Sequence, residues 1–174
     1  MKRRQLKIAL LAFWLVGTPG ILFAQVNYEL NPEVQRKMSS LVFLEGKWRG
    51  SGWMIGEDRT RLSFEQEELV TMKLNGTILE IEGVGKANGK TVHHALAIVQ
   101  PKSEEGGFDF TSFLQSGLKG TYPARWEEGK FVWQPTEQVR YIIQLNEKGQ
   151  WFEIGEYHTG DKWIQFFEMT LDKL

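Results

Sequence analysis

Two periods divide the chain. Asn31-Pro32-Glu33 carries the marks of a helix start: an Asx cap, a proline at the first helical position and an acid near the positive end. Val34, Met38, Leu41 and Val42 follow at i, i+4, i+7 and i+8, which predicts one apolar stripe, and Gly46 closes the segment as a C-terminal cap. So plain a stripe reads as a lid packed on an apolar surface; a helix that binds a partner is the alternative. Beyond Gly46 the period becomes two. Apolar or alternating runs recur at Lys47–Ile55, Leu62–Leu74, Thr77–Lys86, Thr91–Gln100, Phe108–Gln115, Lys119–Glu127, Lys130–Pro135, Val139–Leu145, Trp151–His158 and Trp163–Leu171.

Hairpin punctuation separates these runs: Asn75-Gly76, Asn88-Gly89, Glu128-Gly129, the stretch 146–149 and Thr159-Gly160. No connection is long enough for a crossover helix, so the strands are antiparallel neighbours. A meander of about ten short strands would leave two raw edges, and closing the sheet removes both. The expected fold is therefore all-β, an antiparallel up-and-down barrel of about ten strands with a short N-terminal lid helix. A β-sandwich is the alternative.

The N-terminal stretch sets an expected address. Lys2, Arg3, Arg4 and Lys7 precede an apolar run from Ile8 to Val16, broken by Gly17, Pro19 and Gly20 before Ala24. A basic start, a short apolar centre and a small residue is the order of a secretory signal, and the run is too short and broken to span a bilayer comfortably. The division expected is a signal peptide over 1–24 and a barrel domain over 25–174, in a periplasmic or secreted protein with no membrane span after cleavage. The chain has no Cys, which excludes a lipoprotein anchor and any disulfide.

Removing 24 of the 174 residues leaves 150, one domain's worth. Four of the 21 basic residues lie in the leader, so 17 face 22 acids, a balance of −5. No basic patch stands out, and nucleic acid is not an expected partner. Six of the seven Trp lie outside the leader among many Phe, which suits wide, half-buried β surfaces.

Turn lengths fix registers, and registers fix faces. With Asn75-Gly76 as a tight turn, Phe64, Val70, Met72, Leu79 and Ile81 share the inward face, along with Gln66 opposite Gly85 and Glu68 opposite Gly83. With Asn88-Gly89 as a two-residue turn, Gly83 faces His94, so that Glu68, Gly83 and His94 form an inward row and His93 points out. With Thr159-Gly160 tight and a four-residue loop at 146–149, Val139, Tyr141, Ile143, Phe152, Ile154, Glu156, His158, Trp163, Gln165, Phe167 and Met169 join the inside. Trp151, Tyr157, Ile164 and Phe166 then make an apolar outer face suited to a homodimer or to the lid. Tyr122, Ala124, Trp126, Phe131 and Trp133 form a further inward aromatic face.

Gly46-Lys47-Trp48, opening the first strand after a helical lid, resembles the Gly-x-Trp signature of calycins (lipocalins and fatty-acid-binding proteins). Extended through Arg49-Gly50-Ser51-Gly52, it is similar to nitrobindin-type barrels and to bacterial lipocalin-like domains. The motif covers few residues. The resemblance implies a barrel with a cavity. Nitrobindin-like barrels would further imply haem held by a histidine near the last strand, but Trp163-Ile164-Gln165-Phe166-Phe167-Glu168-Met169 contains none, so no cofactor is carried across. Independently of any family, an indole at position 48 plugs one end of a barrel beneath its lid, and Gly50 and Gly52 let the strand bend where the barrel closes.

Inward polar groups in such numbers favour a wet cavity over a dry core, because each unsatisfied one costs about 1–3 kcal/mol. The expected ligand contacts are Gln66, Glu68, His94, Trp133, Tyr141, Glu156 and Gln165, around a small apolar or amphiphilic molecule. A purely structural buried pair of Glu68 and His94 is the bland alternative. Acid–base catalysis by that pair is a third reading, with no nucleophile, oxyanion-hole signature or phosphate loop beside it. His93 and His94 alternate faces and cannot chelate together, and no metal is expected.

Overall fold

In the computed structural model, which describes residues 28–103 and 106–174, ten antiparallel strands close into a single barrel behind a short helix. The secretory-signal reading of residues 1–24 lies outside the described residues. The strands are β1 (Gly46–Ile55), β2 (Arg61–Lys73), β3 (Ile78–Ala87), β4 (Lys90–Pro101), β5 (Gly107–Leu114), β6 (Lys119–Glu127), β7 (Lys130–Thr136), β8 (Val139–Leu145), β9 (Trp151–His158) and β10 (Trp163–Lys173). Each pairs with its sequence neighbours, and β1 pairs with β10, so no edge remains.

The helix α1 spans Pro32–Met38, and Asn31 Oδ1 accepts from the backbone N–H of Glu33 at 3.0 Å and of Val34 at 3.2 Å. The chain then tightens into a 3-10 helix over Ser39–Leu44. At three residues per turn Met38, Leu41 and Leu44 line up and are all buried, whereas Val42, expected in the stripe from α-helical spacing, rotates into solvent. Gln35 donates to the Asn75 carbonyl, Lys37 to those of Lys102 and Ser103, and Phe43 packs on Trp126 at 5.2 Å. The lid thus covers the barrel end that carries the β2–β3, β4–β5 and β6–β7 turns. The opposite end, with the β1–β2, β3–β4, β5–β6, β7–β8 and β9–β10 turns, has no helix over it among the described residues.

Trp48 stands beneath the lid as expected. It is fully buried, donates Nε1–H to the Leu44 carbonyl at 2.7 Å and meets Trp151 edge-on at 5.8 Å. Gly50 and Gly52 sit at the β1–β10 closure. A Cβ on Gly50 would fall 2.1 Å from the Thr170 carbonyl oxygen and one on Gly52 2.4 Å from that of Glu168, a backbone approach that excludes any side chain.

Candidate functional site

Three polar side chains are buried among the described residues: Gln66, Glu68 and Glu153. No Lys or Arg is buried with them. Two come from β2, whose inward positions run Phe64, Gln66, Glu68, Val70 towards the lid. The β2–β3 register matches the expectation: Glu68 lies opposite Gly83 and Gln66 opposite Gly85. The glycines make the room. A Cβ on Gly83 would meet both Glu68 carboxyl oxygens, at 2.6 and 2.7 Å, and one on Gly85 would meet Gln66 Oε1 at 2.7 Å.

Glu153 enters from β9 and was not legible from the turns. The β8–β9 loop has five residues, closed by Asn146 N–H donating to the Gln150 carbonyl at 2.9 Å, one more than the four expected. That single residue exchanges the faces of β9. Its inward positions are Trp151, Glu153, Gly155 and Tyr157, and the expected inward set of Phe152, Ile154 and Glu156 turns out. Glu156 is held outside by Arg140 at 2.7 Å, and Arg140 also lies over the Trp163 ring at 4.1 Å. On β10 a bulge at Phe166 restores Phe167 and Met169 to the inside but leaves Gln165 outside, donating to Glu168 Oε2 at 2.8 Å. The signal that was available is Gly155, a small residue facing Tyr141 where a Cβ would meet the ring at 2.9 Å.

His94 is the other correction. The Asn88-Gly89 turn is tight, with Ala87 opposite Lys90 as expected, but Val92 is an extra residue in β4 that shifts the register beyond it. Gly83 therefore faces Ala95, and Ala97 and Val99 fill the core in place of Leu96 and Ile98. His94 lies on the outer face with Nε2 2.9 Å from Glu82 Oε1, so neither the inward Glu68–Gly83–His94 row nor a Glu68/His94 acid–base pair is assembled. His93 takes the inward position, opposite Gly85 at the open end. Partial burial, and then the neighbouring His94, hold its pKa below the usual imidazole value. His158 packs on Trp163 at 4.8 Å, and β10 presents no imidazole to a haem.

The carboxyls share one environment. Glu68 Oε1 accepts from Gln66 Nε2 at 2.7 Å, while Oε2 has no hydrogen-bond partner. Glu153 accepts from the Trp151 indole N–H at 3.1 Å, and the Trp133 indole acts on its pKa in the same, lowering direction. Burial raises the pKa of Glu68 to about 7; burial, and then the charge of Glu68, raise that of Glu153 to about 8. Tyr141, one inward position further towards the open end, is pushed up to about 12 by burial and by Glu153. Trp133 stacks between Phe110 and Tyr141, at 4.4 Å from each, as the sequence-based inward aromatic face required.

A depression of about 460 Å³ is lined by Ile55, Val139, Tyr157, Ile164, Gln165 and Phe166. Val139, Tyr157 and Ile164 are register partners on the face of Tyr141 and Gly155, so they line the mouth, and the apolar outer face expected from Trp151, Tyr157, Ile164 and Phe166 is not formed. Trp151 is buried inside. The Phe166 ring, turned by its bulge, meets Tyr141 edge-on at 5.7 Å and so connects the mouth to the residue that neighbours the acid pair.

The fold has a counterpart in the crystal structure of Rv2717c from M. tuberculosis, with a TM-score of 0.62 over 84% of this chain and 99% of that one at 12% identity, a likeness of fold alone. No protein-family model and no curated protein matches the chain.

Proposed function

We propose that this chain is an exported, calycin-like barrel that binds a small apolar or amphiphilic molecule, with the apolar part in the mouth depression and the polar end directed past Tyr141 towards Glu68 and Glu153. The observation that carries this reading is Glu68 Oε2, a buried carboxyl oxygen with no hydrogen-bond partner among the described residues, in a barrel whose open end carries an apolar depression. A dry structural core has no use for such an atom, since each unsatisfied buried polar group costs about 1–3 kcal/mol. The glycines opposite Glu68 and Gln66 favour the same reading, because the sequence gives up side chains there to accommodate polar ones. The calycin-like part rests on Gly46-Lys47-Trp48 under the lid, and the export part on the basic, apolar, small-residue order of the first 24 residues.

Of the residues expected to contact the ligand, Gln66, Glu68, Trp133 and Tyr141 remain in this proposal, and Glu153 joins them. His94 and Glu156 lie outside, and Gln165, off the inward face, stands at the edge of the mouth depression. The test is native mass spectrometry of protein purified from the periplasm or medium of its own host, followed by a denatured run. A small molecule lost on denaturation, on a chain shortened by 24 residues, supports both parts. An unliganded chain that also fails to bind Nile red in titration overturns the binding reading, and a full-length chain mass overturns the export reading.

A further inference from the structure

The acid pair restricts what the polar end can be. Glu68 on β2 and Glu153 on β9 are both buried on the inward face of the barrel, Glu68 Oε2 has no hydrogen-bond partner, and no Lys or Arg is buried with them among the described residues. Lys173, at the closed end of β10, points over the Trp48 ring at 5.1 Å instead. An anionic head group would bring a further negative charge into a site already holding two acids. A monocation would balance the ionisation of one of them and give Glu68 Oε2 the partner it lacks. A metal ion is a poorer match: no group of three or more His, Asp or Glu is positioned to hold one among the described residues.

Resting on the binding reading above, we infer that the ligand is an amphiphilic amine, whose ammonium group is held between Glu68 and Glu153 and whose apolar part extends through the mouth lined by Phe166, Val139 and Ile164. Binding favours the ionised form of one of the two acids, whose proton leaves to solvent while the other acid keeps its proton and the amine keeps its own, because the amine's pKa lies near that of lysine at about 10. The titratable group coupled to the pair is Tyr141 from β8, through Glu153; His93 lies at the open end of β4 and Lys173 over the Trp48 ring at the closed end. Affinity for the amine therefore rises with pH through the range in which Glu68 and Glu153 titrate.

The experiment compares decylamine, decanol and decanoate by isothermal titration calorimetry on protein expressed from the full chain. Decylamine is expected to bind at least tenfold more tightly than decanol at pH 8.5, decanoate more weakly than either, and the amine preference to shrink at least tenfold at pH 6. Proton release is read from the dependence of the binding enthalpy on the buffer's ionisation enthalpy. Glu68→Gln and Glu153→Gln, checked for an intact thermal transition, are expected to reduce the ratio of decylamine to decanol affinity at pH 8.5 at least tenfold. Decanol binding as tightly as decylamine in the wild type, or decanoate binding best, overturns the inference and leaves the binding reading standing. Binding of none of the three overturns both.

Discussion

The carboxyl group of Glu68 lies flat against Gly83 on the neighbouring strand, where a Cβ would come within 2.6 Å of one oxygen and 2.7 Å of the other. Glycine in a strand interior weakens the strand, so its presence opposite a buried acid reflects a steric requirement of that acid. Gly83→Ala is expected to destabilise the barrel by about 1–3 kcal/mol, the range for overpacking a filled interior. The clash disappears if the acid is removed, so Gly83→Ala combined with Glu68→Ala should cost less than the sum of the two single changes. Urea unfolding of the four proteins measures this coupling; strict additivity would show that the two residues do not meet.

Stability should fall as pH rises from about 5 to about 8. Glu68 and Glu153 keep their protons in the folded barrel to about pH 7 and about pH 8, while the unfolded chain releases them near 4.5. Between those values the folded state binds more protons than the unfolded state, so the slope of stability against pH is negative, at most about 1.4 kcal/mol per pH unit for each carboxyl. The contribution is fully present below the unfolded value and is lost by the time pH exceeds the folded ones. Asp58, held low by its bonds from Thr60, and Glu127, held low by Arg125, act in the opposite sense only in more acidic solution. Thermal unfolding at pH 5, 6.5, 8 and 9 should show the decline and its levelling, and Glu153→Gln should reduce the slope. A flat profile in the wild type would place both acids in contact with solvent.

The strand procession, the lid and the closure were legible because period-two alternation and Asn-Gly turns act locally. The first half of the site was legible for the same reason: the Asn75-Gly76 turn sets Glu68 against Gly83 and Gln66 against Gly85 without any long-range information. The second half was hidden by single-residue features. The fifth loop residue, Gln150, inverts β9 and exchanges Glu156 for Glu153. The extra residue Val92 inverts β4 and exchanges His94 for His93. Because side chains alternate with a period of two, any odd insertion carries a whole strand to the other face, and nothing in the composition of such a strand announces it when both faces are apolar. Phe152 and Ile154 on one face of β9 against Trp151 and Gly155 on the other is such a case.

His94→Ala is expected to leave both stability and ligand binding close to wild type. The imidazole meets Glu82 on the outer face, with both side chains nearly half exposed at 45% and 46%, and an exposed pair of this kind contributes about 0–1 kcal/mol. Nile red titration and thermal unfolding of the variant check this. A loss of binding beyond threefold would return His94 to the interior and remove the bulge at Val92 from the account.

Phe166→Asp separates the two roles open to the apolar residues of the last strands. If Tyr157, Ile164 and Phe166 formed an outer docking face, the charge would disperse a dimer and leave the interior untouched. In the structure Phe166 lines the mouth and meets the Tyr141 ring at 5.7 Å, one inward position from Glu153. A carboxylate there removes an apolar wall and adds a negative charge at the entrance. The neutral probe Nile red should therefore bind at least tenfold more weakly, with the sedimentation coefficient unchanged at micromolar concentration. The folded state should survive, because the mouth is open to water and an aspartate there stays hydrated. A variant that sediments as a smaller species but binds Nile red as the wild type does would move Phe166 out of the mouth and into an interface.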